Sequence, residues 1–318
     1  MHTTRFAPSP TGALHLGHVH AALFAHAFAG PGRFLLRIED IDPVRCRAEH
    51  EASIAADLRW LGLDWQHPVR RQSEHLDAYR AVLDALAARG LLYPCFCTRA
   101  EIAARLGGTA SPGGLSADAR GPLDPRDAAS RVRTGTGGPG DNILHAPHAT
   151  EPVYPGTCRR LDPEVRRDRL ARGAAHALRL DMAAALHILP RPLSRSERGE
   201  GRVECHPGRF GDVVLGRRDV PASYHLCATH DDALEGVTLV TRAVDLRPAA
   251  DLHRLLQALM GWPEPEYAHH DLICDAQGRR LSKRAGSPTI ASLRDAGATP
   301  DAVRAMAGTG TFQASERE

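Results

Sequence analysis

Apolar and polar positions along this chain switch between a period of two and a period near 3.6, and the alternation predicts strands and helices in turn. Residues 3–7 read as a short strand that stops at the breaker-rich segment APSPTG (7–12). HLGHVHAALFAHAFAG (15–30) follows as a helix closed by Gly30, and RFLLRIED (33–40) is an apolar run of strand length carrying Glu39 and Asp40 at its C-terminal end. Helical spacing covers 48–61 and 75–89, the latter closed by Gly90, before a strand around 91–97. Farther on, the pattern predicts a helix over 163–172, strands at 176–180, 211–215 and 237–242, and a helix over 249–260. An apolar stretch at 267–274 and two short helical stretches complete the chain. Strands alternating with helices imply a parallel α/β sheet. Residues 106–150, rich in Gly, Ala, Pro and Ser and without periodicity, interrupt it as an expected mobile surface insertion.

Composition changes this picture little. With 318 residues, 42% hydrophobic and 25% charged, the chain can bury a sizeable core. The net charge of +2 neither demands nor excludes a nucleic-acid partner. Arginines cluster in CRRLDPEVRRDRLAR (158–172) and RPLSRSERGEGR (191–202), but acids are interspersed, so a solvated surface and an RNA-facing one both stay open. There is no apolar run of membrane-spanning length, and MHTTRFAPSP lacks the basic start and apolar core of a secretory signal. A soluble cytoplasmic protein is expected. Seven cysteines are an odd number, which argues against a disulfide framework. Cys46, Cys205, Cys227 and Cys274 are scattered and read as small hydrophobes or neutral surface residues.

Three groups of residues carry candidate chemistry. HLGH sits where a Pro/Gly turn meets a helix start, and the free N–H groups and positive dipole end there suit a phosphate. His15 and His18, three apart, can project to one side of that helix start, although a chance pair is cheap among 18 histidines. RRLSKR (279–284) holds Lys283, the one lysine of the chain; the other 39 of its 40 basic residues are arginine. Lysine offers a compact ammonium on a flexible stem where arginine offers a planar fork, so position 283 asks for a small cation able to follow moving charge. Cys95 and Cys97, with Cys158 far downstream, provide three soft ligands, one short of a tetrahedral zinc set; free thiols are the alternative.

RFAPSPTGALHLGH (5–18) with RIEDID (37–42), LGLDW (61–65), YHL (224–226), EGVTLVTRAVDL (235–246) and RRLSKR resembles the catalytic domain of class I glutamyl-type aminoacyl-tRNA synthetases. The likeness covers most of the chain apart from 106–150 and the tail. It implies a Rossmann-type doubly wound parallel sheet whose halves span 1–94 and 174–288, a zinc-binding insertion at 95–173, and a short helical tail at 289–318. His15 to His18 match the HIGH signature and Arg280 to Arg284 the KMSKS loop. By the resemblance His15, Gly17, His18, Ser282 and Lys283 hold ATP, with His15, His18 and Lys283 stabilising the transition state and Mg²⁺ neutralising the triphosphate. Arg5 and Arg242 bind carboxylates of L-glutamate, Glu39 its ammonium, and Ala7, Ser9 and Tyr224 complete the pocket. A zinc-bearing branch of the family adds a tyrosine to its thiolates, which makes Tyr154 the fourth ligand beside Cys95, Cys97 and Cys158.

Only 34 residues follow Arg284, too few for a large anticodon-binding region. This resembles a branch that activates glutamate without tRNA and transfers it to the queuosine base at the wobble position of tRNA(Asp). The expected partner is the anticodon stem-loop of that tRNA, and a monomer is expected. Rivals are a truncated or discriminating enzyme charging the acceptor end of tRNA(Glu), another HIGH-type nucleotidyl transferase, and a non-catalytic zinc-clipped RNA-binding module. Three departures stand out: Arg280 replaces the lysine that opens the loop, Ala243 stands where glycine is general, and CATHDD (227–232) replaces a more apolar strand.

Overall fold

The computed structural model describes residues 1–106, 153–189, 192–273 and 288–308. Strand β1 (Thr3–Phe6) pairs in parallel with β2 (Arg33–Ile38), and β3 (Gln66–Arg71) extends that sheet beyond β2. A second parallel set runs β6 (Ser194–Glu197), β10 (Glu266–His270), β9 (Leu239–Ala243), with β7 (Gly201–Glu204) antiparallel on its outer edge. The two sets meet at β1 and β9. Thr3 N–H donates to Thr238 Oγ1 at 2.9 Å, and Thr238 N–H donates to the Thr3 carbonyl at 3.0 Å. Arg5 reaches the Thr241 carbonyl, so both strands advance in the same direction. The spatial order is therefore β3-β2-β1-β9-β10-β6. Its sequence order reverses between β1 and β9, and ligands of open α/β sheets bind where such a reversal opens a crevice at the carboxyl ends of the strands.

The apolar run of β2 serves both faces of the sheet. Leu36 and Ile38 join Val19 and Ala22 of α1 (Leu16–Ala29) and Ile54 and Leu58 of α2 (Ala48–Trp60) in one core. Leu35 faces the other way, with Val240, Ala250 and Tyr267. A strand covered on both faces needs this unbroken apolar stretch rather than alternation. Ile290 of α9 (Ile290–Asp295) and Val303 of α10 (Pro300–Met306) are fully buried in the first core, so the C-terminal helices are part of it. A larger cluster gathers Tyr79, Leu83 and Leu86 of α3 (Leu76–Ala88), Leu226 of α7 (Tyr224–Leu234) and Leu252, Leu255 and Leu256 of α8 (Ala249–Met260).

Between the two halves lies an antiparallel sheet of β4 (Leu92–Cys95), β5 (Ala177–Leu180) and β8 (Val214–Gly216). Short helices α4 (Arg99–Arg105), α5 (Pro163–Ala171) and α6 (Met182–His187) accompany it. The expected mobile insertion lies, from 107 to 150, outside the described residues.

Several elements depart from the sequence pattern. The segment 227–232, read as a strand, belongs to helix α7, whose Cys227, Asp231 and Asp232 are buried. Polar residues sit inside because they have charged partners, which hydropathy alone does not reveal. Strand β3 escaped because QHPVRR has little apolar content; it is an edge strand, where Pro68 is tolerated. The arginine-rich stretch from 191 is partly a hairpin, β6 and β7, and not all of it is solvated surface. Arg195 is buried between Glu197 (3.2 Å) and Asp251. Among the described residues no helix is long and apolar enough to cross a membrane.

Candidate active site and cysteine cluster

Helix α1 begins at the carboxyl end of β1, and its first turn is built by its own histidines. His15 is the N-cap; its Nδ1 accepts the Gly17 amide at 3.1 Å, while His18 Nδ1 accepts the His15 amide at 3.2 Å. The rings lie against each other, tilted by 37°, with centroids 3.9 Å apart. Because a backbone N–H can only donate, each Nδ1 is an acceptor, and the proton of each neutral ring lies on Nε2. Both imidazoles thus carry an N–H donor suited to an oxyanion. Gly17 is dictated by this fold-back: a Cβ there would lie 3.0 Å from His15 Cε1.

The segment after the basic loop docks on this same turn. His15 and Thr289 form an isolated antiparallel bridge, and Ile290 N–H donates to the Leu14 carbonyl at 3.0 Å. Ser282 and Lys283 themselves lie outside the described residues, as do Cys274 and Arg280.

Ala7 and Ser9 lie in the turn between β1 and α1, and this turn is tied to the end of β2 by the Glu39 amide donating to the Pro8 carbonyl at 3.0 Å. Below it is a dense set of buried charges. Arg5 Nε donates to Asp232 Oδ1 at 2.9 Å and its Nη1 to the Thr241 carbonyl at 2.8 Å. Arg37, with no exposed surface, donates to Asp232 (2.8 Å) and Glu235 (2.9 Å) and lies 3.5 Å from Glu39. Burial works against the Asp232 charge, yet Arg5 and Arg37 hold its carboxyl below the usual range. Glu39 is less compensated: burial pushes its carboxyl up to about 7 against the pull of Arg37 and Arg5. Burial likewise raises the Tyr224 phenol, which senses the charges of Arg242, Glu39 and Arg5 and so shares the pocket.

Arg242 is the exception among these cations. It is buried, and no carboxylate among the described residues lies within ion-pair distance. Its Nη2 meets His253 Nδ1 at 3.2 Å, while Nε and Nη1 have no hydrogen-bond partner among the described residues. Burying a cation with two unmade hydrogen bonds is costly, and an anionic ligand would repair it. Arg5, by contrast, already has both edges of its fork engaged.

The structure thus gathers Arg5, Glu39, Tyr224 and Arg242 at one end of the sheet, with His15, Gly17 and His18 at the adjoining helix start. Sequence reasoning did not single out Arg37, Asp232, His225 or His253. One signal was available for Arg37: a charge inside the apolar run RFLLRI must bring a buried partner.

The cysteine cluster closes the start of the insertion. The Sγ atoms of Cys95, Cys97 and Cys158 all lie within 4.8 Å of one another, with Cys97 and Cys158 at 3.4 Å. The Tyr154 phenol is 3.3 Å from Cys95 Sγ and 3.5 Å from Cys97 Sγ. Tetrahedral coordination at Zn–S of about 2.3 Å sets sulfurs about 3.8 Å apart, so the four side chains fit one ion. Burial pushes the Cys97 thiol up to about 11, whereas Cys158, despite burial, is lowered by hydrogen bonds from Tyr154 and the Phe96 amide. The Arg179 guanidinium lies 3.9 Å over the Tyr154 ring, and Arg218 donates to the Cys97 carbonyl at 2.8 Å. These cations offset the charge that ionised ligands bring.

Comparison with known proteins agrees with this geometry. A family profile described as tRNA synthetases class I (E and Q), catalytic domain, matches residues 2–111 and 142–318. The chain is 42% identical over 309 residues to a protein of Rhodobacter capsulatus named glutamyl-Q tRNA(Asp) synthetase, covering 96% of this chain and 99% of that one. It is 33% identical to the glutamate–tRNA ligase of Aquifex aeolicus, covering 94% of this chain but 55% of the relative. Its fold matches a crystal structure of a glutamate tRNA ligase from Elizabethkingia meningosepticum in complex with its amino acid, with a TM-score of 0.69 and 27% identity. That match spans 99% of this chain and 62% of the longer one. The chain belongs to the glutamate- and glutamine-type class I aminoacyl-tRNA synthetases, whose catalytic-domain profile matches most of its length.

Proposed function

We propose that this protein uses ATP to activate glutamate and transfers the glutamyl group to the queuosine base at the wobble position of tRNA(Asp). The observation that carries the activation step is Arg242, a buried cation with two nitrogens that have no partner among the described residues, in the same pocket as Glu39. A carboxylate satisfies the first and an ammonium the second, and an acidic amino acid offers both. Relatives named glutamyl-Q tRNA(Asp) synthetase, one of them matched over 99% of its own length, support the choice of acceptor.

In this reading Arg242, with Arg5 behind it, receives a carboxylate of glutamate, and Glu39 takes the α-ammonium. Ala7 and Ser9 border the bound amino acid from the β1 turn, with Tyr224 opposite. His15 and His18 direct their Nε2 protons at ATP phosphate oxygens, and Gly17 lets the helix start approach them closely. The α-carboxylate then attacks the α-phosphorus, one phosphoanhydride bond breaks, and pyrophosphate departs as glutamyl-adenylate forms. Ser282 shapes the basic loop and Lys283 follows the charge that passes to the leaving group. No enzyme nucleophile is needed; positioning and electrostatics do the work. Mg²⁺ bound with ATP would neutralise part of the triphosphate charge. Zn²⁺ held by Cys95, Cys97, Tyr154 and Cys158 would clip the two ends of the insertion together. The reading is completed by a monomer acting on tRNA in the cytoplasm.

A second reading, glutamate transfer to tRNA(Glu), is favoured by relatives named glutamate–tRNA ligase at 33–36% identity. The deciding experiment offers labelled glutamate and ATP with queuosine-bearing tRNA(Asp), queuosine-free tRNA(Asp) and tRNA(Glu). Label on the first alone is expected; label on tRNA(Glu) would overturn the choice of acceptor.

A further inference from the structure

Behind Arg242 stands a pair of histidines that the functional reading does not use. His253 of α8 places Nδ1 3.2 Å from Arg242 Nη2, and its Nε2 lies 3.0 Å from Nδ1 of His225 in α7. Both histidines are buried, 1% and 4% exposed. A guanidinium has only donors, so His253 must offer Arg242 a bare Nδ1 and carry its proton on Nε2. Among the described residues that proton goes to His225 Nδ1, which leaves the His225 proton on Nε2. One chain of hydrogen bonds, running His225–His253–Arg242, thus has its direction set by the cation at its end.

We propose that His253, backed by His225, is a positioning residue for amino-acid recognition: it holds the Arg242 guanidinium by a neutral acceptor and so keeps its full charge for the substrate carboxylate. This rests on the functional reading above. The contrast with Arg5 gives the reason. Asp232 grips Arg5 and neutralises it, and a carboxylate at 253 would do the same to Arg242 while competing with the substrate. An imidazole orients without neutralising. Burial, then Arg242 itself, oppose a charge on His253 and push its titration well below the usual histidine range, which keeps the acceptor available. Burial and Arg242 likewise lower His225, to about 3. The remaining donors of Arg242, Nε and Nη1, are those without a partner among the described residues.

The test is glutamate-dependent pyrophosphate–ATP exchange with the full chain. His253→Leu and His253→Phe remove the acceptor at two different volumes. Each is expected to raise KM for glutamate by about tenfold or more, the loss of one charge-assisted hydrogen bond, while KM for ATP changes less than about twofold. His253→Asn, whose Oδ1 lies near the Nδ1 position, is expected to recover most of that loss. Glutamate KM unchanged in both apolar variants, or an Asn variant no better than they are, overturns the inference. A measurement on the unmutated protein stands whether or not the variants fold: ¹⁵N shifts of His253 at about pH 7 should show Nδ1 bare and Nε2 protonated, and a protonated Nδ1 overturns the inference. Absence of glutamate-dependent exchange in the unmutated protein would instead overturn the functional reading beneath it.

Discussion

Glu39 is held in a place that favours its uncharged form, and replacing it by glutamine should make the empty protein more stable while destroying its use. Its carboxyl stands at about 7 instead of the ordinary 4.5, because burial outweighs the pull of Arg37 and Arg5. At about 1.4 kcal/mol per pKa unit, that difference is about 3 kcal/mol. The folded value is the raised one, so the stabilising contribution is fully present below pH 4.5 and is lost as pH climbs through about 7. Above that, the wild-type protein carries a buried charge that the Glu39→Gln variant would lack. Urea unfolding of both proteins without glutamate should show Glu39→Gln gaining little near pH 4.5 and about 3 kcal/mol near pH 8. The same titration predicts that apparent glutamate affinity drops by up to about tenfold per pH unit below 7, since the ammonium must first displace a proton. A stability gap that does not change with pH, or a glutamine variant less stable at pH 8, would refute the reasoning.

Other consequences follow from neighbouring residues. Arg37→Leu should destabilise the fold by about 3–5 kcal/mol in urea unfolding, because Asp232 and Glu39 are left buried without it. Cys158→Ala should abolish bound zinc by elemental analysis and lower the melting temperature, and a strong chelator should do the same to the unmutated protein. Full thermal stability in zinc-free protein would contradict a structural role for the cluster. Lys283→Arg should reduce exchange by at least about tenfold with no change in unfolding, since a planar fork cannot replace a compact ammonium. Near-normal exchange in that variant would break the account of the lone lysine.

The strands and helices most legible in the sequence were those with one kind of environment. Helix α1 and strand β2 are mainly apolar because most of their residues are covered by neighbouring elements, and their limits fell within one or two residues of the pattern. Elements stabilised by charge were hidden. In β6 the inward residues are Arg195 and Glu197, which pair with each other and with Asp251 and His269, so the strand reads as polar surface. Helix α7 hides in the same way: Asp231 accepts from Tyr79, Gln72 and Arg70, partners more than 150 positions away. The candidate site divides likewise. HLGH and the cysteine spacing are local patterns that a sequence can display. That Arg5 is engaged by Asp232 while Arg242 is not depends on side chains brought together by the sheet.

The joining of β1 to β9 sets a timetable for synthesis. Arg37 meets Asp232 across 195 positions, and the Thr3 amide meets Thr238 across 235. At about 5–20 residues per second, a ribosome needs on the order of 10–50 s to deliver the second partner after the first. Through that interval the amino-terminal strands exist without their neighbour, and Arg37 has no counter-charge from Asp232 or Glu235. The nascent half therefore holds Arg5 and Arg37 without their Asp232 partner until α7 has been made, and the pocket closes only when β9, which brings Arg242, takes its place beside the first strand made.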